Sequence, residues 1–88
     1  MPSIHLRLRG RVQGVGFRWF VRVHARRLGL DGHVANHADG SVEVAASGEQ
    51  AKLDELARIV RQGPDGAQVS TVEELPAIED FESPFAVR

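Results

Sequence analysis

The sequence predicts an α+β fold in which two helices cover one face of an antiparallel sheet of four to five strands. Segments of alternating apolar and polar residues and segments of helical period follow each other in the order β-α-β-β-α-β. The chain has 88 residues, so we expect one domain spanning residues 1–88. Because it contains no cysteine, packing and backbone hydrogen bonds must stabilise its small core.

The first third of the chain predicts a strand followed by a helix. Apolar and polar residues alternate over 4–12, which is typical of a half-buried strand. Over 17–28 the apolar residues fall on one helical face, and Gly29 suits the left-handed position that ends a helix. A basic stripe repeats every four residues beside that face and consists of Arg18, Arg22 and Arg26. We expect the stripe beyond Arg18 to be solvated and Trp19 to be a packing residue.

The remaining two thirds predict a hairpin, a second helix and two more strands. Strands over 32–36 and 41–46 flank Asp39-Gly40, a pair that favours a tight turn because glycine readily adopts a positive φ. A fourth strand over 67–74 has an imperfect alternation that indicates a bulge, and a short edge strand follows over 85–87.

The second helix has recognisable start and stop signals. Ser47 and Gln50 have the spacing of a capping box, which predicts that Ser47 opens this helix. Gly63-Pro64 is expected to end it. With these boundaries the predicted elements form a ferredoxin-like β-α-β-β-α-β sandwich.

The net charge of −1 conceals an uneven distribution of charge. Residues 1–30 contain seven arginines and no acid, whereas residues 31–88 contain all twelve acids. This pattern predicts that an anionic ligand is drawn to the first third of the chain, or that most of these arginines pair with the later carboxylates. We expect no nucleic-acid partner, because the chain is not basic overall and its central strands lack the aromatic side chains on which RNA bases stack.

A glycine-rich loop over 10–18 is the most informative stretch for function. Its glycines allow backbone N–H groups to converge before a helix N-terminus, where the dipole adds about half a positive charge, and such loops bind phosphate. Arg18 adds a permanent charge that can bind two oxygens. A P-loop is excluded because Phe17-Arg18 stands in place of its Lys and Ser/Thr, and Trp19 replaces the third glycine of a dinucleotide site. By glycine spacing alone, a structural turn explains the loop equally well.

Two motifs resemble the signatures of the acylphosphatase family. Residues 10–18, GRVQGVGFR, resemble the first signature, and residues 32–44, closing at Gly48, resemble the second. The resemblance extends over essentially the whole chain, and the family has the fold predicted above. The sequence departs from the family pattern at His33, where an aromatic residue is common, and at Ala35, where a basic one is frequent.

The resemblance implies an enzyme that hydrolyses the carboxyl–phosphate anhydride bond of small acyl phosphates to a carboxylate and inorganic phosphate. It implies that Arg18 binds the phosphoryl group and that Asn36 positions the attacking water, so these two are the predicted catalytic residues. It also implies a phosphate-binding loop that consists of Gln13, Gly14, Val15, Gly16, Phe17 and Arg18.

The chemistry of an acyl phosphate fits this small set of residues. A carboxylate leaves without being protonated, so positioning and electrostatics can supply most of the acceleration. The neutral amide of Asn36 cannot act as a base, but it can hydrogen-bond a water and a phosphate oxygen. We expect no metal and no cofactor. His33 and His37 are four residues apart, which on a strand is about 13 Å and too far for one ion.

Two other functions remain open: a non-catalytic anion-binding or regulatory domain, and a carbamoyl-phosphate-handling module like those of larger enzymes. The expected partner is a small-molecule acyl phosphate, with inorganic phosphate or sulfate as a product-like ligand. No apolar run is long enough for a signal peptide or a membrane span, so we expect no membrane association and a cytoplasmic location. A monomer is the simplest expectation for the oligomeric state.

Overall fold

The alternating segments form strands and the periodic segments form helices, in the predicted order. The computed structural model describes all residues 1–88. Its elements are β1 Ser3–Arg11, α1 Phe17–Arg27, β2 Asp31–Asn36, β3 Val42–Ser47, α2 Gln50–Gln62, β4 Gln68–Glu74 and β5 Ala86–Val87. Neither helix combines the length and the apolar character needed to cross a bilayer.

The five strands form one sheet in the order β4-β1-β3-β2-β5. Pairs β1–β3, β1–β4 and β2–β3 are antiparallel, but β5 runs parallel to β2. The predicted antiparallel sheet is confirmed for β1 to β4, and the short β5 departs from it by adding one parallel pair, so the sheet is mixed. The reason lies in the connection over 75–85, which carries the chain from the β4 edge to the opposite edge. Because β4 ends at the end of the sheet where β2 begins, β5 enters there and runs in the same direction as β2.

Both helices pack on one face of the sheet and bury the predicted apolar positions. The strands contribute Leu8, Val34 and Val44, and the helices contribute Val21 and Leu56, all fully buried. The largest fully buried side chains are two phenylalanines, one at the start of α1 and one just before β5: Phe17 and Phe85. The start of α1 and the segment just before β5 are thus anchored in the core.

A bulge interrupts the pairing of β1 with β4, as predicted. The register shifts between Arg9 and Gly10. Gly10 has φ 124°, and a Cβ there would lie 2.2 Å from the carbonyl oxygen of Gln68, so only glycine fits. The bulge lies directly before the loop that leads into α1.

The start of α2 differs from the prediction. Ser47 is the last residue of β3 and pairs with both Ser3 and Asp31, so its backbone belongs to the sheet and cannot cap a helix. Glu49 occupies the N-cap position without a side-chain capping bond, and Gln50 instead donates to Asp54 at 2.8 Å. The predicted capping box is therefore wrong. The helix ends at Gly63 as predicted.

Candidate active site

The loop between β1 and α1 owes its shape to two glycines with positive φ. Gly14 has φ 74° and Gly16 has φ 76°. No atom lies within 4 Å of the position that a Cβ would occupy at either residue. Glycine is therefore required because the backbone is left-handed at both positions, a conformation that costs other residues about 1–2 kcal/mol. The space around the loop is open.

This loop presents a run of free backbone donors. The N–H groups from Gln13 to Trp19 donate no hydrogen bond within the protein, and the first bonded amide is that of Phe20, which donates to the Gly16 carbonyl at 3.0 Å. The first turn of α1 has no side-chain cap and no acidic residue. Free N–H groups at a helix N-terminus, where the dipole is positive, are the usual setting for binding an anion.

Arg18 lies in the first turn of α1 and is exposed. Its Nη1 donates to a backbone oxygen of Arg88 at 3.1 Å, which steadies the side chain. Of the seven arginines in residues 1–30, Arg9 alone forms an ion pair, with Asp39 at 3.2 Å. The expectation that most of these arginines pair with later carboxylates is therefore wrong: even Arg7, which lies opposite Glu43 and Glu73 in the sheet, forms no ion pair. No acidic side chain pairs with Arg18, so the loop has a guanidinium beside it.

Asn36 lies beside the loop between β1 and α1, although it belongs to strand β2. It is the last residue of β2, paired with Val42, and its exposed side chain forms no hydrogen bond within the protein. Arg18 and Asn36 line one cleft of about 380 Å³. The cleft is lined by Val12, Gln13, Gly14, Gly16, Phe17, Arg18, Trp19, Arg22, Asn36 and Val87.

Of the predicted phosphate-binding residues, Val15 is the one that does not line the cleft. Its side chain is partly buried and packs against the hydrophobic core. Phe17 is buried as well and contacts Phe20 edge to face, with ring centroids 6.1 Å apart. These two side chains hold the loop on the core, and only their backbone N–H groups are available to a ligand.

The side chain of Gln13 connects the loop to the segment that follows β2. Its Nε2 donates to the carbonyl oxygens of His37 at 2.8 Å and Ser41 at 2.9 Å. Both amide protons are thereby used, so the side chain fastens the loop to the hairpin between β2 and β3. The hairpin begins directly after Asn36.

The tip of this hairpin is held by a hydrogen-bonded turn. The Oδ1 of Asp39 accepts from the Ser41 N–H at 3.0 Å and from the Ser41 hydroxyl at 2.6 Å. These bonds, with a smaller contribution from Arg9, hold the pKa of Asp39 well below its usual range. Gly40 has φ 90°, so the predicted turn signal is confirmed within a loop from His37 to Ser41.

Three histidines converge on one carboxylate on the sheet face that points away from the helices. The Nε2 of His5 lies 2.5 Å from Oε2 of Glu43, and those of His37 and His33 lie 2.9 and 3.6 Å from its Oε1. The predicted separation of His33 and His37 does not hold for their side chains, since both turn toward β3. No group of three or more histidines and acids has an arrangement that could hold a metal ion.

Burial and hydrogen bonding oppose each other at this carboxylate. Burial raises the pKa of Glu43, but hydrogen bonds from His5 and His37 outweigh it and lower the pKa to about 2. At His33, burial lowers the pKa, and the neighbouring Arg88 guanidinium lowers it further. The cluster therefore combines a charged carboxylate with a histidine that favours its neutral form.

Four cleft residues were not predicted as site residues: Val12, which is buried in the core, and Trp19, Arg22 and Val87. Trp19 is 64% exposed, so the expectation that it packs is wrong. A sequence signal was present, because a spacing of two residues from Phe17 places Trp19 on the opposite side of the helix from the apolar face. No comparable signal marks Val87, which reaches the cleft through the parallel pairing of β5.

Together, the fold and the cleft define a ferredoxin-like α+β protein with a glycine-rich loop of free backbone donors. The acylphosphatase family model matches residues 4–87. An acylphosphatase from Caldivirga maquilingensis is 48% identical over 84 residues, covering 92% of this chain and 87% of its own length. The chain belongs to the acylphosphatase family, whose members are enzymes that hydrolyse acyl phosphates.

Solved structures agree with this assignment. The crystal structure of acylphosphatase from Bacillus subtilis superposes with a TM-score of 0.87 at 34% identity, covering 100% of this chain and 99% of that one. The structure of HypF from T. kodakarensis superposes with a TM-score of 0.83 at 27% identity, covering 99% of this chain but only 12% of HypF. The same fold thus also occurs as a small part of a much longer chain.

Proposed function

We propose that this protein hydrolyses small acyl phosphates, with Arg18 and the amides of residues 13–18 binding the phosphoryl group and Asn36 positioning the attacking water. The convergence of Arg18, Asn36 and the free N–H groups in one cleft carries this proposal. These groups come from a loop, a helix and a strand end that are distant in sequence. The loop and Arg18 supply positive charge, and Asn36 supplies a neutral group with both a donor and an acceptor.

The proposed step is a displacement at phosphorus. The oxygen of water forms a bond to phosphorus while the bond from phosphorus to the acyl oxygen breaks. The electron pair of that bond leaves with the acyl group as a carboxylate, and both protons of the water stay on the phosphate, giving dihydrogen phosphate. No general acid is needed, because a carboxylate is stable without a proton at neutral pH.

Arg18 contributes through charge and geometry. Its guanidinium can form two parallel hydrogen bonds to phosphoryl oxygens, and the backbone amides can bind the others. Loss of one preorganised donor of this kind costs about 3–4 kcal/mol, or 10²–10³ in rate. Because Arg18 also holds the substrate in place, we expect its removal to cost more than that.

Asn36 contributes by positioning. Its side-chain amide has no partner within the protein, so its carbonyl oxygen can accept a hydrogen bond from water while its NH₂ donates to a phosphoryl oxygen. Holding the water in line with the bond that breaks converts a bimolecular step into an effectively unimolecular one. We expect its loss to lower the turnover number more than it weakens binding.

The proposed mechanism uses neither a metal nor a cofactor, and one chain suffices for it. The cations of the cleft are arginines, and no carboxylate or imidazole lines it. Hard cations prefer oxygen ligands, so this lining offers little to Mg²⁺. We propose a monomer as the active unit. A cytoplasmic location stays a prediction.

Hydrolysis of benzoyl phosphate, followed by absorbance in the presence of EDTA, tests the proposal. We expect activity that EDTA leaves unchanged, that is nearly abolished in Arg18→Gln and that is strongly reduced in Asn36→Ala. Arg58→Gln is the matched control, since Arg58 lies on α2 and pairs with Glu55 at 2.5 Å. Tight phosphate binding without turnover would favour a non-catalytic anion-binding or carbamoyl-phosphate-handling domain. Binding of single-stranded RNA without turnover would favour a nucleic-acid function.

A further inference from the structure

The phosphate loop accounts for only part of the cleft. Beyond Arg18 and Asn36, the cleft is lined by one aromatic, one cationic and one aliphatic side chain: Trp19, Arg22 and Val87. Two of the four large apolar side chains exposed on this protein are among them, with Trp19 64% and Val87 40% exposed. An exposed indole beside a charged binding loop offers a large, rigid apolar surface to a ligand.

Arg22 is the one arginine of the basic stripe that is free within the cleft. Arg26, one turn further along α1, donates from Nε to the carbonyl oxygen of Phe85 at 3.0 Å. Arg22 forms no hydrogen bond and no ion pair, and its shielded Nε has no partner. Since Nε is the only buried unpaired atom of Arg22, the terminal nitrogens remain accessible from the cleft.

The spacing of the two cleft arginines suits the two ends of the bond that breaks. Arg22 follows Arg18 by one helical turn, and side chains four residues apart emerge about 6 Å from each other on a helix. As the phosphorus–oxygen bond breaks, negative charge moves to the acyl oxygen, which lies outside the loop that binds the phosphoryl group. An accessible guanidinium at that distance can stabilise the carboxylate as it forms.

We propose that Trp19, Arg22 and Val87 form the acyl subsite of this enzyme, and that the subsite favours acyl phosphates with a planar apolar acyl group. Arg22 faces the departing carboxylate, while Trp19 and Val87 pack against the carbon skeleton. This inference rests on the proposed acyl phosphate hydrolysis. It assigns the substrate class, and it separates binding of the phosphoryl group from recognition of the group that leaves.

A comparison of two substrates tests the apolar part of the subsite. We expect Trp19→Ala to lower the ratio of kcat/KM for benzoyl phosphate over acetyl phosphate by about fivefold to tenfold, since contact between aromatic groups is worth that much. Trp19→Phe should retain most of the wild-type ratio. Val23→Ala is the matched control, because Val23 is an exposed apolar residue of α1 outside the cleft and should leave the ratio unchanged.

A series of leaving groups tests Arg22. Substituted benzoyl phosphates span a range of pKa for the released carboxylic acid, and we expect Arg22→Gln to steepen the dependence of log kcat on that pKa. The loss in kcat should reach about tenfold to a hundredfold for the poorest leaving group. Lys52→Gln removes one positive charge from an exposed position on α2, outside the cleft, and should leave the slope unchanged.

The outcomes separate the two proposals. If the wild-type protein hydrolyses neither benzoyl nor acetyl phosphate, the proposed function fails and takes the subsite with it. If it hydrolyses both, an unchanged substrate ratio in Trp19→Ala or an unchanged slope in Arg22→Gln overturns the subsite and leaves the function standing. All these side chains are at least partly exposed, so circular dichroism is expected to show folded variants.

Discussion

The side-chain amide of Gln13 donates a hydrogen bond of 2.8 Å to the carbonyl oxygen of His37. Through this bond the loop after β1 is tied to the hairpin that begins directly after Asn36. The relative positions of the proposed phosphate-binding loop and the predicted water-positioning residue therefore depend on a residue whose side-chain N–H groups are both used within the protein. Gln13 acts on the site through the backbone of its neighbours.

Replacement of Gln13 by alanine is expected to lower kcat about tenfold or more and to change KM less. The reason is that small displacements of positioning groups reduce rates strongly, while Arg18 still binds the phosphoryl group. Two hydrogen bonds worth about 0.5–1.5 kcal/mol each are also lost, although both carbonyl oxygens keep a backbone donor, so stability should fall by about 1–3 kcal/mol. Kinetics and urea unfolding measure the two effects. Gln50→Ala, which removes only a local bond to Asp54, serves as the control. An unchanged kcat in Gln13→Ala would contradict a positioning role.

Replacement of Gly16 by alanine is expected to weaken phosphate binding and to cost about 1–2 kcal/mol of stability. Gly16 has φ 76° with free space around it, so the cost comes from backbone strain and the relaxed loop misplaces its N–H groups. Gly29→Ala is a close control, because Gly29 has φ 71°, equally free space and a position at the other end of α1. The two variants should differ in the phosphate affinity measured by calorimetric titration, but they should have similar free energies of unfolding. Equal phosphate affinity in both would argue against the loop as the binding element.

Acid should destabilise the protein partly through Glu43. Its pKa is lowered from 4.5 to about 2 in the folded state, so the carboxylate stabilises the fold above pH 4.5, and this stabilisation is lost as the pH falls through about 2. In Glu43→Gln the decline of unfolding free energy between pH 4.5 and 2 should be shallower. Urea unfolding at several pH values measures it, with the exposed Glu79→Gln as the control. Parallel pH profiles for wild type and Glu43→Gln would show that the histidine contacts contribute nothing.

Phe85 is expected to matter for stability more than its place in a short edge segment indicates. It is fully buried, and its carbonyl oxygen accepts from Arg26. Truncation to alanine removes a large core side chain and should cost about 3–5 kcal/mol, a large share of what a small domain has. Phe85→Leu should cost clearly less, and the exposed Val23→Ala almost nothing. Thermal or urea unfolding provides the comparison, and a loss below about 1 kcal/mol in Phe85→Ala would be inconsistent with a packed anchor.

Much of the fold was predictable because it depends on local pattern. Alternation and helical period identify which residues face the core, and Gly29 and Gly63 mark the ends of the two helices through backbone conformation alone. The candidate site residues Arg18 and Asn36 were predictable for a different reason. Their motifs resemble those of a family, and the spacing by itself did not distinguish a phosphate loop from a structural turn.

Other features depend on contacts between distant parts of the chain. Ser47 has capping-box spacing with Gln50, yet pairing with two neighbouring strands keeps its backbone in the sheet. The parallel direction of β5 follows from where β4 ends, which no local pattern records. Trp19 was predictable as an outward-facing residue, but its place in the cleft was not.

The sequence by itself determined the order of elements, the apolar faces and the glycine positions, because these follow from the preferences of neighbouring residues. Only the tertiary structure decided which charges remain free and which residues share the cleft. Arg9 pairs with Asp39, whereas Arg18 and Arg22 lie in the cleft beside the glycine-rich loop and pair with no acidic side chain. The physical reason is that electrostatic pairing depends on distance in space, and the packing of helix, loop and strand end sets those distances.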